Sequence, residues 1–129
     1  MNVTKEFAEF LEDEGYGTLG TDLFVGGAPQ DAPDVCYWVL SGGGSPTSTN
    51  LTNNKQKQYI INVFFRDTDQ ENVYEKLQAI EELINSDACT QLGSYEVLGI
   101  ECTLFPTDND LDVEDRTIGL LEATITIYA

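Results

Sequence analysis

Tyr59-Ile60-Ile61-Asn62-Val63-Phe64-Phe65-Arg66, then Asp67-Thr68-Asp69 and a helix-like run as far as Ser86, is the stretch that decides the fold. Its first eight residues are β-branched and aromatic, of strand length, and apolar on both alternating faces except at Asn62 and Arg66, which reads as a buried strand. The chain then turns. Thr68 and Glu71 have the spacing of a capping box, and Val73, Leu77, Ile80 and Ile84 recur on one face of a helix. A helix with a single apolar stripe covers one face of a sheet, so the second face of this strand needs a different cover.

Working outward, residues 2–14 place Val3, Phe7, Phe10 and Leu11 on one helical face, with Asn2 as cap and Gly15 as terminator. This helix is the other available cover should Phe64 prove internal to its own subunit. Gly15-Tyr16-Gly17-Thr18-Leu19-Gly20 matches G-x-G-x-x-G, but that pattern binds a dinucleotide only when a strand leads in and a helix leads out. Here a helix leads in and the strand-like Asp22-Leu23-Phe24-Val25 leads out, so the glycines simply turn the chain.

Val35-Cys36-Tyr37-Trp38-Val39-Leu40 is the next strand. Residues 41–55 shift to Gly, Ser, Thr, Asn and Pro, with Gly42-Gly43-Gly44 at the head and Leu51 as the one large apolar residue, and read as a long flexible hairpin loop. Beyond the main helix, residues 89–94 turn the chain into a strand at 95–105, with Leu98, Ile100, Cys102 and Leu104 on one face and Glu101 and Thr103 on the other. Residues 117–128 repeat the alternation, Leu121, Ala123, Ile125 and Ile127 against Glu122, Thr124 and Thr126, so these two strands pair as an antiparallel hairpin. Residues 106–116 between them are the most acidic segment and read as a second flexible loop.

The expectation is one α+β domain over residues 1–129: a two-layer sandwich with a mainly antiparallel sheet of four to five strands, helices on one face, and the order α-β-β-β-α-β-β. A charge of -17, from 23 acidic and 6 basic residues, argues against direct binding to nucleic-acid phosphates or anionic membrane. Cys36, Cys89 and Cys102 are widely spaced and odd in number, which suits a reduced compartment better than a disulfide framework. The N-terminus has no basic and apolar leader, and no run reaches the ~18 apolar residues of a membrane span, so a cytoplasmic origin is expected. The sequons at Asn2 and Asn50 are then chance matches.

The chain has no histidine, which removes Ser-His-Asp and Cys-His catalysis and most zinc sites. Asp108, Asp110 and Asp112 imitate the opening of an EF-hand, but Val113 stands where a glycine is required and Gly119 where the closing glutamate belongs. A looser divalent-cation site on this segment stays open at this point. A two-metal nuclease needs carboxylates on rigid elements, and the Ser41-Gly42-Gly43-Gly44-Ser45 tract lacks the Gly-Lys-Ser/Thr ending of a P-loop. No enzymatic activity and no cofactor are expected.

The element order, with Ala28-Pro29 and Pro33-Asp34 leading into a strand that ends Ser41-Gly42-Gly43, and a strand ending Phe64-Phe65-Arg66 before the main helix, resembles a known family. It is similar to the tail terminator or tail-completion proteins of long-tailed bacteriophages, among them minor capsid and head-tail joining proteins. The resemblance covers most of the chain. It implies a virion protein made in the host cytoplasm, forming a homo-oligomeric ring, usually a hexamer, that caps the tail tube, ends its polymerisation and joins the tail to the head. The implied partners are further copies of the chain, the tail-tube protein and a head-tail connector or head-closure protein, with DNA passing through the lumen unbound and no membrane involved.

On that resemblance a neighbouring subunit covers Ile60, Phe64 and the strand from Val35 to Leu40. The implied partner-interface residues are Gly42, Gly43, Gly44 and Leu51 of the first loop, Phe64 and Arg66 of the strand, and Asp108, Asp110, Asp112, Glu114 and Asp115 of the second loop. A hexamer would carry about 100 negative charges, and an acidic lumen lets DNA slide. A head-closure or connector neck protein is the alternative within the virion. From a different class comes a small-ligand-binding regulatory domain with Tyr37, Trp38 and Tyr59 lining a pocket.

Overall fold

In the computed structural model, residues 2–49, 55–111 and 116–128 are described, so Leu51, Asp112, Glu114 and Asp115 lie outside the described residues. Helix α1 (Val3–Asp13) begins where the Asn2 side chain accepts the Lys5 N–H at 3.1 Å and stops before Gly15, whose φ of 92° suits glycine. Three strands follow, β1 (Leu23–Val25), β2 (Cys36–Thr49) and β3 (Lys55–Asp67), then α2 (Gln70–Asn85), β4 (Gln91–Leu92), β5 (Tyr95–Leu111) and β6 (Thr117–Tyr128). Asp69, not Thr68, caps α2, its carboxylate accepting the Glu71 N–H at 3.1 Å. Thr68 is unavailable because its hydroxyl turns back to Asp67, at 3.4 Å.

Asp67 fixes this strand-to-helix corner, accepting Asn72 Nδ2 at 2.6 Å and the Asp69 N–H at 3.0 Å. Burial pushes its carboxyl pKa up, but these hydrogen bonds and those from Thr68 outweigh burial and hold it below the ordinary 3.8.

The sheet has six strands, not the four to five expected, in the order β1-β2-β3-β6-β5-β4. Two short elements account for the difference. β1 lies parallel to β2, with the Tyr37 N–H donating to the Asp22 carbonyl at 2.8 Å, and the two-residue β4 arises within the expected turn by pairing with Tyr95 and Glu96. α1 touches β1 and β2 at one edge and β4 at the other, so the sheet curls around the helical layer.

One side of the sheet forms the core. Tyr37, Val39, Ile61, Val63, Phe65, Leu121, Ala123, Ile125 and Ile127 point inward and join Val3, Phe7, Ala8 and Leu11 of α1 and Val73, Leu77, Ile80 and Ile84 of α2 in one buried cluster. Strand alternation therefore corrects the expected two-sided burial of β3: its odd-numbered side chains from Ile61 to Phe65 are buried and Ile60, Asn62 and Phe64 only half-buried.

Both segments expected as loops are largely strand. Residues 41–49 continue β2, paired with β3 from Ser41↔Ile61 to Thr49↔Lys55, with register shifts between Ser41 and Gly43 and between Pro46 and Ser48. The glycines serve the bulge: a Cβ on Gly42 would lie 2.7 Å from Ile60 Cγ2, and Gly43 has φ 98°. Residues 106–111 likewise continue β5, paired with β6 as far as Leu111↔Thr117. A further register shift between Val97 and Gly99 leaves Leu98 exposed, contrary to its expected place on the core face beside Ile100 and Cys102.

Candidate assembly surface

The outward side of the sheet is built by the same alternation that fills the core. Register places Trp38 opposite Phe64 and Phe64 opposite Leu120, with Ile118 beside Arg66, and Ile60 and Leu40 further along. Trp38 and Phe64 stack, ring centroids 5.3 Å apart and planes within 7°. All six apolar side chains are half-buried, and none belongs to the core cluster. Among the described residues no helix packs on this side, since the buried faces of both helices enter the core cluster. α1 is therefore not the cover for Phe64.

One end of this face is closed by the chain itself. Arg66 is buried, with Nη2 donating to the Pro33 carbonyl at 2.6 Å and Nε to the Asp34 carbonyl at 3.2 Å, while its guanidinium lies 5.9 Å from the Trp38 ring centre. Arg116 Nη1 meets Asp34 Oδ1 at 2.9 Å. Two of the six basic residues thus tie residues 32–34 to the sheet end, and the Arg66 head is used within the chain. Cys36, opposite Arg66 in the register, is fully buried, and burial pushes its thiol pKa up.

Of the expected interface residues, Phe64 stands in the open face, and Gly42 and Gly43 are exposed at the β2 bulge with Gly44 beyond them. Asp108 and Asp110 fall in β5, at the end of the sheet opposite to the β2–β3 turn, so the two segments are not brought together. Leu120 and Ile118 were not expected on the face. Their signal is that the polar alternation of β6 gives way to apolar residues at those positions.

The ligand-pocket reading fails on geometry. Tyr37 is in the core, Tyr59 packs against the core, and Trp38 points to the opposite side, so the three do not line one cavity. Burial drives the Tyr37 hydroxyl pKa far up, with Tyr16 adding to the shift. An open depression of about 330 Å³ does lie between the start of α1 and β1, lined by residues that include Lys5, Leu19, Leu23 and Val25. Among the described residues no group of three or more His, Cys, Asp or Glu is placed to hold a metal ion, and no helix is long and apolar enough to cross a membrane.

The family profile described as "Bacteriophage tail terminator protein" matches residues 10–129. The chain belongs to the bacteriophage tail terminator family. The resemblance drawn from element order is therefore correct. The tail terminator is a virion structural protein, of a family that is structural and not enzymatic, and its place is the virion. Its fold is similar to that of a chain in a structure titled "Virion of native gene transfer agent (GTA) particle", with a TM-score of 0.61 at 11% identity over 85% of this chain and 81% of that one. No curated protein matches the sequence of this tail terminator.

Proposed function

We propose that this tail terminator acts as a homo-oligomeric ring, six subunits in the usual arrangement, that caps the tail tube, ends its polymerisation and offers the surface to which the head docks. The observation that carries the reading is the outward sheet face: Trp38, Phe64, Leu120 and Ile118 lie together, with Leu40 and Ile60 beside Asn62, and among the described residues no helix packs over them. A half-buried apolar patch on an open sheet face is a surface suited to a partner, and in a symmetric assembly the partner at hand is another copy. Phe64 is its centre, stacked and positioned but not enclosed. The two long hairpins turn at opposite ends of the sheet, the first carrying Gly42, Gly43 and Gly44 in mid-strand and the second carrying Asp108 and Asp110 near its turn. One hairpin end is thereby available to the tail-tube protein and the other to the head-side connector. With 23 acidic residues per subunit the lumen repels DNA and leaves it free to slide.

Size-exclusion chromatography with light scattering, run with and without tail-tube protein, tests this. A closed oligomer that shortens growing tubes is the expected result. A protein that stays monomeric beside the tube protein and leaves tube length unchanged would overturn it.

A further inference from the structure

The apolar outward face continues to the edge of the sheet. Register pairs Phe24 of β1 with Trp38, Trp38 with Phe64 and Phe64 with Leu120, so four large apolar side chains form one row across four strands. All four are half-buried. Phe24 also lines the open depression of about 330 Å³ between the start of α1 and β1, with Leu19, Val25 and Lys5 around it. β1 is the last strand on its side of the sheet, and Val25 is exposed there. The apolar surface therefore turns the sheet edge, from the Trp38–Phe64 stack through Phe24 into the depression.

A second apolar spot lies at the diagonally opposite corner. β1 pairs with Tyr37, Trp38 and Val39 at the start of β2, level with the end of β3 and the start of β6, whereas β5 begins level with the end of β6 and the start of β3. There Glu96 pairs with Tyr128 and Val97 with Ile127, and the register shift between Val97 and Gly99 leaves Leu98 outside the pairing. Leu98 and Tyr128 are both exposed. The other large apolar side chains exposed among the described residues, Val35 before β2 and Tyr74 on α2, are single and stand elsewhere.

We propose that Leu98 of one copy of this chain, with Tyr128 beside it, seats in the depression lined by Phe24 and Val25 of the next copy. The inference rests on the ring reading and deepens it, because it says which surfaces meet. The occupant is a second copy because the depression is continuous with the face that another copy covers: a subunit lying over Trp38 and Phe64 is led by the row to Phe24 and over the sheet edge. The sizes agree. An apolar cavity of about 150 Å³ holds a benzene ring, so the depression has room for a leucine side chain and part of a tyrosine ring. The pairing also sets direction. Two different surfaces at opposite corners are each used once per contact, which leaves every copy a free corner and a free depression for its other neighbour. Such a contact is head to tail and closes into a ring when the rotation permits.

The test has two arms, both on the full chain. In the first, light scattering measures self-association of Val25→Ser, Leu98→Ser and Tyr74→Ser, three neutral changes at exposed positions. Val25→Ser and Leu98→Ser should each raise the dissociation constant about tenfold, and Tyr74→Ser should leave it unchanged. In the second, Val25→Cys, Leu98→Cys and the double variant are treated with bismaleimidoethane in a Cys102→Ser background, Cys36 and Cys89 being buried. The double variant should give a covalent ladder extending beyond the dimer, and neither single variant should cross-link. Cross-linked pairs from Val25→Cys alone would overturn the head-to-tail pairing. A natural chain that forms rings, with Val25→Ser and Leu98→Ser assembling like Tyr74→Ser and no ladder from the double variant, would overturn the proposed contact and leave the ring in place. A natural chain that remains monomeric with tube protein present would overturn the ring, and this contact with it.

Discussion

Phe64 and Phe65 are consecutive residues of β3 that point to opposite sides of the sheet, and truncating each separates folding from assembly. Phe65 is 1% exposed and lies 4.4 Å, centroid to centroid, from Tyr37 in the core. Phe65→Ala should therefore cost about 3–5 kcal/mol of folding stability, the range for a buried phenylalanine. Phe64 is half-buried and its main partner is Trp38. Phe64→Ala forfeits a stacked pair, about 0.5–1.5 kcal/mol, and a fraction of one side chain's apolar burial, so about 1–2 kcal/mol in all. Urea unfolding at a protein concentration where the natural chain is monomeric gives both costs without contribution from association. Light scattering at higher concentration then reads assembly. The expected outcome is a Phe64→Ala protein that folds with modest loss and fails to form the oligomer, and the harsher Phe64→Asp, folded by circular dichroism, that fails completely. If Phe64→Ala loses as much folding stability as Phe65→Ala, or assembles like the natural chain, the reading of the outward face as an interface is wrong.

Four further outcomes follow from other parts of the molecule. Gly42→Ala should lose about 1–3 kcal/mol by urea unfolding, because its new methyl meets Ile60 Cγ2 at 2.7 Å; a neutral result would mean that the bulge gives way freely. Arg66→Ala should release residues 32–34 by removing the charged donor to the Pro33 and Asp34 carbonyls, seen as faster amide exchange through Cys36 and a stability loss on the order of 1–3 kcal/mol. Asp67→Ala should cost about 1–3 kcal/mol above pH 5 by removing the acceptor for Asn72 and Asp69. Since the folded carboxyl pKa is depressed, that gap between natural chain and variant is fully present above 3.8 and should close as pH falls through the lower folded value; a gap independent of pH would contradict the assignment. Cys89, pushed up to about 11 by burial and then by Glu14, and Cys36, also raised, should resist alkylation at pH 8 until urea is added. Rapid labelling of either in the native protein would show the core to be looser than described.

What the sequence made legible was whatever depends on short-range periodicity. The apolar stripe of α2, the Asn2 cap and the alternation of β6 from Thr117 to Tyr128 stand in the structure as the spacing implied. What it hid depends on partners distant along the chain. The Gly/Ser/Thr composition of residues 41–49 favours a loop locally, and the ladder to β3 overrides that preference because a neighbouring strand satisfies the backbone. β4 owes its existence to Tyr95 and Glu96 in the same way, and the outward turn of Leu98 to a register shift that alternation cannot reveal.

The candidate surface divides along the same line. Phe64 was legible because a single helical stripe cannot cover both sides of a strand. Arg66 was not, since a lone cation at a strand end looks like surface until the carbonyls of Ala32, Pro33 and Asp34 are seen to surround it. Leu120 joins the face only through its pairing with Phe64 across the β3–β6 ladder.

The single tryptophan of the chain, Trp38, is stacked on Phe64 in the face on which the account depends. Acrylamide quenching of its fluorescence, followed over a protein dilution series with molecular mass measured on the same samples, tests the claim most directly. The account predicts that quenching falls and emission shifts to the blue as the oligomer forms, because a neighbouring copy covers Trp38 and Phe64. A rise to ring mass with Trp38 quenched as readily as in the monomer would contradict it.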